Sequence, residues 1–178
     1  EPITVPRTSS TNIGLSLIAV MSAYDLKFIE QDKAKQMITN ILDTIDKLKK
    51  YRGNIYNWYD IKTLEPLNDS ISSVDNGNYI GYLYVLANFC DTALGDKELY
   101  ARVYDNIKKL DFSIFYNHEK QLFSIEYNAK TGDISNSYYD LLASESRMLS
   151  YVAIAKGDVP YKHWYALSRA LTHKFGTN

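Results

Sequence analysis

The sequence predicts an all-α chain of helical hairpins, with a small β-hairpin in one long loop. Three observations predict it. Apolar residues recur at i, i+3, i+4 and i+7 over long stretches, most regularly at Ala34, Met37, Ile38, Ile41, Leu42, Ile45 and Leu48. Turn-forming residues separate these stretches by alternately short and long intervals. Polar and apolar residues alternate around "NHEK" in "FSIFYNHEKQLFSIEYN", which is a hairpin signal. At 178 residues the chain fits one domain, residues 1–178.

Residues 1–10, "EPITVPRTSS", read as an extended lead-in that ends in a helix cap at Ser10 or Thr11. The first helix then buries Ile13, Leu17, Val20 and Tyr24, flanked by Leu15, Ile18 and Ser22, and runs to about Phe28. Asp32 is placed to cap the second helix, and the short break between the two predicts an antiparallel pair. Residues 51–74 lack a sustained period and form a long loop, a feature that is often functional. "VDNGN" caps a third helix over roughly 77–93, carrying Tyr79, Tyr82, Tyr84, Leu86 and Phe89. Asp96 caps a fourth, with Leu99, Val103, Tyr104 and Ile107 inward. After the hairpin and the turn-rich "AKTGDISNS", a fifth helix is predicted over 138–156, with Leu141, Leu142, Met148, Leu149 and Val152 as its stripe. Gly157 and Pro160 stop it. The last stretch from Tyr161 begins with a helical turn at most. The long loops at 51–76 and 111–137 are expected on one rim.

Composition narrows the function. Twenty Lys and Arg against twenty-one Asp and Glu leave a net charge of −1, so no basic face for nucleic acid is expected. No run of about 18 apolar residues exists to insert into a membrane. Cys90 is the only cysteine, read as a buried thiol in a reducing compartment. His118, His163 and His173 are not at metal spacing, and glycine-rich phosphate loops are missing. Neither a cofactor nor a metal is expected. Sixteen tyrosines stand out, since Tyr suits half-buried surfaces that meet polar ligands. The chain starts at Glu1, which suggests a segment of something longer.

Several carboxylates could carry chemistry. Glu145 in "LLASESRML" is bordered by Leu141, Leu142, Met148 and Leu149, a setting that would favour a protonated donor; pairing with Arg147 at a helix surface is the alternative. Asp75 at a helix start is either an N-cap or a functional carboxylate. Glu65 stands in the long loop, in "TLEP". Trp58 and Tyr59, flanked by Asn57 and Asp60, either line a sugar site or pack as a loop core.

Four stretches taken together carry a resemblance: "RTSSTNIGL" at 7–15, "YRGNIYNWYDIKTLEPL" at 51–67, "SSVDNGN" at 72–78 and "SYYDLLASESRMLSYVAIAKGDVPYKHW" at 137–164. The sequence resembles the glucoamylase-like middle domain of cyclic β-1,2-glucan synthases, which is related to the β-1,2-glucanases. The resemblance implies an (α/α)6 toroid, of which five or six helices would be the N-terminal part, about half. Its exposed flanks would then associate with the remainder of a larger synthase chain or with a second copy. It also implies β-1,2-glucan as substrate, a cytoplasmic location as part of a membrane-anchored synthase, and retaining transglycosylation (cyclisation); the alternatives are an endo-β-1,2-glucan hydrolase and a non-catalytic glucan-binding fragment. Retention needs two carboxyl groups about 5–5.5 Å apart. Carried onto this sequence, Glu145 is the general acid/base and Glu65 the nucleophile, with Asp75 in reserve. Asn57, Trp58, Tyr59, Asp60 and Tyr138 would line subsites, with Arg7 and Asn12 beneath the rim. The sequence departs from the family pattern at Ser10 (usually Pro), Asn54 (His), Asn76 (Ser) and Ser146 (Ala). Asn54 in place of His is expected to remove a subsite donor.

Overall fold

The computed structural model of the chain describes residues 5–169. Strand β1 (Arg7–Thr8) leads into α1 (Ser10–Asp25), and the Ser9 hydroxyl caps it by accepting the Asn12 amide at 3.3 Å. That is one residue ahead of the expected cap. α1 buries Gly14, Leu17, Val20 and Met21, whereas Leu15 is exposed, so its buried face is narrower than the sequence suggested. α2 (Gln31–Lys47) buries Ala34, Ile38, Leu42 and Ile45, as its period predicts. Its N-cap is Glu30 rather than Asp32, which sits in the first turn and complements the helix dipole there.

The stretch expected as one long loop holds short strands instead. β2 (Lys50–Tyr51) and β3 (Asn54–Ile55) form a hairpin across Arg52 and Gly53, at φ 47° and 78°. Two left-handed residues are what a two-residue hairpin turn requires. β4 (Tyr59–Asp60) pairs antiparallel with β1, and β5 (Ser70–Ser72) runs directly into α3 (Ser73–Thr92). The Ser72 hydroxyl accepts the Asp75 amide at 3.3 Å, so α3 starts four residues earlier than 77.

Asp96 caps α4 (Lys97–Lys109) as expected, accepting the Leu99 amide at 3.0 Å. A 3-10 turn over Phe112–Phe115 leads to the expected hairpin, β6 (Tyr116–Asn117) with β7 (Leu122–Ser124). β8 (Glu126–Asn128) pairs with β5 and so stitches the two long loops together. β9 (Tyr138–Tyr139) adds to β7, followed by α5 (Arg147–Lys156) and α6 (His163–Ala166).

The predicted fifth helix is therefore too long by nine residues at its start. Tyr138 and Tyr139 pair with β7 instead, and the Ser144 hydroxyl bonds the Leu141 carbonyl and Ser146 Oγ, each at 2.8 Å. Such local side-chain bonds compete with helix formation. Leu149 and Val152 are buried, but Leu141 and Met148 are exposed. Sequence beyond residue 169, including His173, lies outside the described residues.

The helices form two layers. Thr11 meets Asp75 at one end of the α1–α3 contact, and Tyr24 stacks edge-on with Phe89 at the other, 5.5 Å between centroids. Both pairs are offset by 64 or 65 positions, so α1 and α3 run parallel. α5 starts against the start of α3, where Gly77 faces Leu149. The outer layer is α2 and α4, also parallel, joined by Lys35–Asp96 at 2.9 Å and by Arg102 to Asp43 and Asp46 at 2.7 and 2.6 Å. Between the layers and the strands lie Leu17, Ile38, Leu42, Ile71, Ile80, Leu83, Phe112 and Phe115, all fully buried. Each contributes roughly 1.5–3 kcal/mol by leaving water. Cys90 is buried in this core, which pushes its thiol up to about 11.

Candidate functional site

Because α1 and α3 run the same way and the start of α5 packs on the first turn of α3, the three N-termini meet at one rim, where the helix dipoles favour negative charge. Asp75 lies in the first turn of α3, and Thr11, in the first turn of α1, donates its hydroxyl to Asp75 Oδ1 at 2.5 Å. Asp75 is therefore not the N-cap; Ser72 is, and the Asp75 carboxylate turns to α1. Glu145 occupies the turn just ahead of α5 and is exposed, not inside a helix between apolar neighbours as the sequence suggested. Burial first, then the charges of Glu145 and Asp75, push the Tyr139 phenol up to about 12. The close approach of α3 and α5 depends on Gly77, since a Cβ there would stand 2.5 Å from Leu149 Cβ.

The other expected residues fall into groups. Arg7 stacks its guanidinium on Trp58, 4.0 Å from the ring centroid, a cation–π contact that occupies one face of the indole. Asn57 is half-buried and donates its backbone amide to the Ser70 carbonyl at 2.9 Å, close to the start of α3. Asn12 is exposed in the first turn of α1. Asp60 Oδ1 accepts the Lys62 and Thr63 amides at 2.8 and 2.9 Å, and these bonds hold its carboxyl below the usual range. Tyr138 points away from Tyr139, as strand neighbours do, and its hydroxyl accepts from Asn117 Nδ2 at 3.1 Å.

Two expectations are corrected. Tyr59 does not line a subsite: it is fully buried, donating to the Lys49 carbonyl at 2.6 Å and accepting the Tyr56 amide at 2.8 Å. Asn54 is no subsite position either, being fully buried with its amide nitrogen 2.8 Å from the Asp111 carbonyl. It ties the β2–β3 hairpin to the end of α4. Glu65 is exposed in the turn after β4.

Asn76 has a supporting role behind the rim. Its Oδ1 accepts the Ile55 amide at 2.8 Å, and its Nδ2 donates to the Ile55 and Ser72 carbonyls, both at 2.9 Å. This clamps β3 to the start of α3. His163 does the same for α5. Its Nδ1–H donates to the Gln121 carbonyl at 2.7 Å, which leaves Nε2 to accept from Ser150 Oγ at 2.9 Å. Burial lowers its pKa.

Sequence reasoning missed Thr11 and Tyr139. The pattern Ser72-x-x-Asp75 is a capping-box signature, which would have moved Asp75 into the first turn. The Tyr138–Tyr139 choice needed a strand to be recognised, because only alternation separates two adjacent tyrosines. Beside Glu145 opens a cavity of about 340 Å³ lined by Ser144, Arg147, Met148, Tyr151 and Trp164. A larger apolar groove of about 380 Å³ between α1 and α2 is lined by none of the candidate carboxylates. Among the described residues, no cluster of three or more His, Cys, Asp or Glu could hold a metal ion, and no helix is long and apolar enough to cross a membrane.

The chain is similar to several known proteins. Residues 4–83 match a family model described as "Protein of unknown function (DUF3131)". Over an aligned length of 298 residues the chain is 24% identical to the cyclic β-(1,2)-glucan synthase NdvB of Rhizobium meliloti (strain 1021), covering 96% of this chain and 10% of that protein. The chain resembles a segment of a cyclic β-1,2-glucan synthase. Its fold is similar to that of a β-1,2-glucanase from Parabacteroides distasonis, with a TM-score of 0.76 at 12% identity, covering 90% of this chain and 24% of the other. It is also similar to an endo-β-1,2-glucanase from Talaromyces funiculosus, solved as a mutant in complex with β-1,2-glucan: TM-score 0.75, 11% identity, 93% and 41% coverage. At such identities the likeness is one of fold. The neighbours are glucoamylase-like (α/α)6 toroids, and the two-layered arc of this chain corresponds to part of one. The chain thus spans a tenth of the synthase and well under half of these solved structures.

Proposed function

We propose that this chain is a carbohydrate-active module directed at β-1,2-glucan, with Glu145 as general acid/base. The observation that carries this reading is the placement of Asp75 in the first turn of α3, held there by Thr11 of α1, and of Glu145 just ahead of α5, where three helix N-termini converge, in a fold whose neighbours include β-1,2-glucanases. In the proposed reaction Glu145 protonates the glycosidic oxygen while a second carboxylate attacks the anomeric carbon. Glu145 then deprotonates the incoming hydroxyl, and two inversions give net retention. Of the two nucleophile candidates, Asp75 has the better support, because it sits in the first turn of α3 at the rim, fixed by Thr11, whereas Glu65 stands exposed in the turn after β4. A sugar hydroxyl as acceptor makes this a transglycosylase, and water makes it a hydrolase. Arg7, Asn12, Asn57 and Trp58 are proposed to meet the glycan along the rim, with Asp60 and Tyr138 at its borders.

The module is further proposed as a single domain within a larger toroid. Two apolar edges support this: the α1–α2 groove, and the α5–α6 face with exposed Tyr151, Tyr161 and Tyr165. Further helices of a longer chain, or a second copy, would cover them.

The test is incubation with linear β-1,2-glucan, following the anomeric configuration of the first product by proton NMR and separating cyclic from shortened chains. A β-configured first product with ring closure supports retaining transglycosylation. An α-configured product overturns it. Glucan bound without turnover would favour a non-catalytic glucan-binding role, and turnover unchanged in Glu145→Gln, Asp75→Asn and Glu65→Gln would put the chemistry on other residues.

A further inference from the structure

We propose, building on the reading of Glu145 as general acid/base, that Ser168 and Ser146 are further positioning residues: they close a hydrogen-bonded circuit that holds the turn carrying Glu145 between α5 and α6. Glu145 is exposed just ahead of α5. Among the described residues no ion pair holds its carboxylate, Arg147 included. Its direction is therefore set by the turn that carries it.

The circuit runs from one end of α6 to the other. Ser168, just after α6, lies opposite Leu141 in a parallel bridge. Its amide donates to the Asp140 carbonyl at 2.6 Å, and its carbonyl accepts the Leu142 amide at 3.1 Å. A single residue thus grips the segment leading to Glu145 on both sides of Leu141. The Leu141 carbonyl in turn accepts the Ser144 hydroxyl at 2.8 Å. Because the one Ser144 hydroxyl proton is taken there, the 2.8 Å contact between the Ser144 and Ser146 hydroxyls has Ser146 as donor. The Ser144 carbonyl accepts the Arg147 amide at 3.2 Å, and the Ser146 carbonyl accepts the Ser150 amide at 3.0 Å. Ser150 Oγ then donates to His163 Nε2 at 2.9 Å, which returns the path to α6. His163 is itself anchored to the β6–β7 hairpin, by Gln121 and by edge-on contacts with Phe123 and Tyr116, 4.7 and 5.6 Å between ring centroids. Ser146, Ser150 and His163 are all buried, so a lost link leaves a polar group that water reaches poorly. Glu145 stands between Ser144 and Ser146, inside the circuit. A general acid has to reach its oxygen at about 2.6–3.2 Å, and a misplacement of about 1 Å costs on the order of a hundredfold.

The experiment compares three variants of the chain. Ser168→Pro removes the amide that bonds Asp140, and Leu167 already has φ −71°, ψ 130°, a conformation that a following proline accepts. Ser168→Ala keeps that amide and changes only an exposed side chain, so it should behave as the wild type. Ser146→Ala removes the buried hydroxyl donor further along. Amide hydrogen exchange followed by NMR should quicken roughly tenfold or more at both Leu142 and Arg147 in Ser168→Pro and in Ser146→Ala, with Leu83 and Val103 unchanged. With linear β-1,2-glucan, kcat should fall roughly tenfold in Ser168→Pro and roughly threefold in Ser146→Ala while KM stays within about twofold. Exchange that quickens only at the amide beside each substitution overturns the circuit. Wild-type kcat in folded Ser168→Pro or Ser146→Ala overturns the positioning role; should the proline variant not fold, Ser146→Ala carries both readouts. The expected exchange pattern in a chain whose wild type leaves glucan intact would sink the glucan-directed reading and still establish the circuit that holds the Glu145 turn.

Discussion

Replacing Gly77 by alanine tests whether the α3–α5 approach is what assembles the rim. The new Cβ would stand 2.5 Å from Leu149 Cβ, 2.8 Å from its Cα and 3.2 Å from its amide nitrogen. Carbon atoms pack at about 3.5–4.0 Å, so α5 must retreat by roughly 1–1.5 Å. Overpacking of this kind costs about 1–3 kcal/mol, and a backbone obstacle places it at the upper end because no rotamer change relieves it. Alanine returns about 1 kcal/mol through helix propensity. The expected net loss is about 2 kcal/mol, or a fall in Tm of ~4–8 °C for a chain of this size. Gly81→Ala is the internal control. Its Cβ would meet only the Met148 side chain, at 3.2–3.5 Å, and a flexible thioether can give way. That variant should be neutral or more stable by up to ~1 kcal/mol. Urea denaturation of the two variants side by side decides the matter. Equal stability, or Gly77→Ala as the more stable, would refute the argument.

Three further outcomes are expected. Ser10→Pro should raise Tm by ~2–6 °C: Ser10 is the first residue of α1, its buried hydroxyl has no partner, and Ser9 already has φ −127°, ψ 170°, a conformation that proline tolerates ahead of it. Asn76→Ala should cost about 2–4 kcal/mol in urea denaturation, because the Ile55 amide and carbonyl both lose the Asn76 side chain as a partner in a buried setting. His163 contributes a pH dependence. Its folded pKa lies below the unfolded value of about 6.5, so the stability it confers is complete above that value and is lost as pH falls from there toward the folded one. Urea midpoints at about pH 7.5 and about pH 5.5 should therefore differ less in His163→Gln than in the wild type.

Much of the fold is legible in the residues. α2 follows from its period and α4 from period and cap, since one face of each is buried and the other is charged. The β6–β7 hairpin follows from alternation about "NHEK". The region before α5 misled because Leu141 and Leu142 continue a helical spacing, while Ser144 and Ser146 bond locally and Tyr138 and Tyr139 find a strand partner more than a dozen residues away. Pairings of that range leave no local trace. The same limit governs the site. Glu145 and Asp75 could be singled out by type, but their placement at one rim arises from the packing of α1 and α5 on α3, and Thr11 declares itself only through a partner 64 positions on. Tyr59 looked like a ligand-facing residue by composition, and the resemblance put position 54 at a subsite. Their burial is a property of the strands around them.

The central claim is that Glu145 and Asp75 work on β-1,2-glucan at this rim. Its most direct test is the turnover of linear β-1,2-glucan by the wild type beside Glu145→Gln and Asp75→Asn, with a C-terminal remainder of the toroid supplied in parallel. The account predicts cyclic or transferred product from the wild type and a loss of at least roughly a hundredfold in each variant. Glucan left intact by the wild type under both conditions, or variants that match its rate, would contradict it.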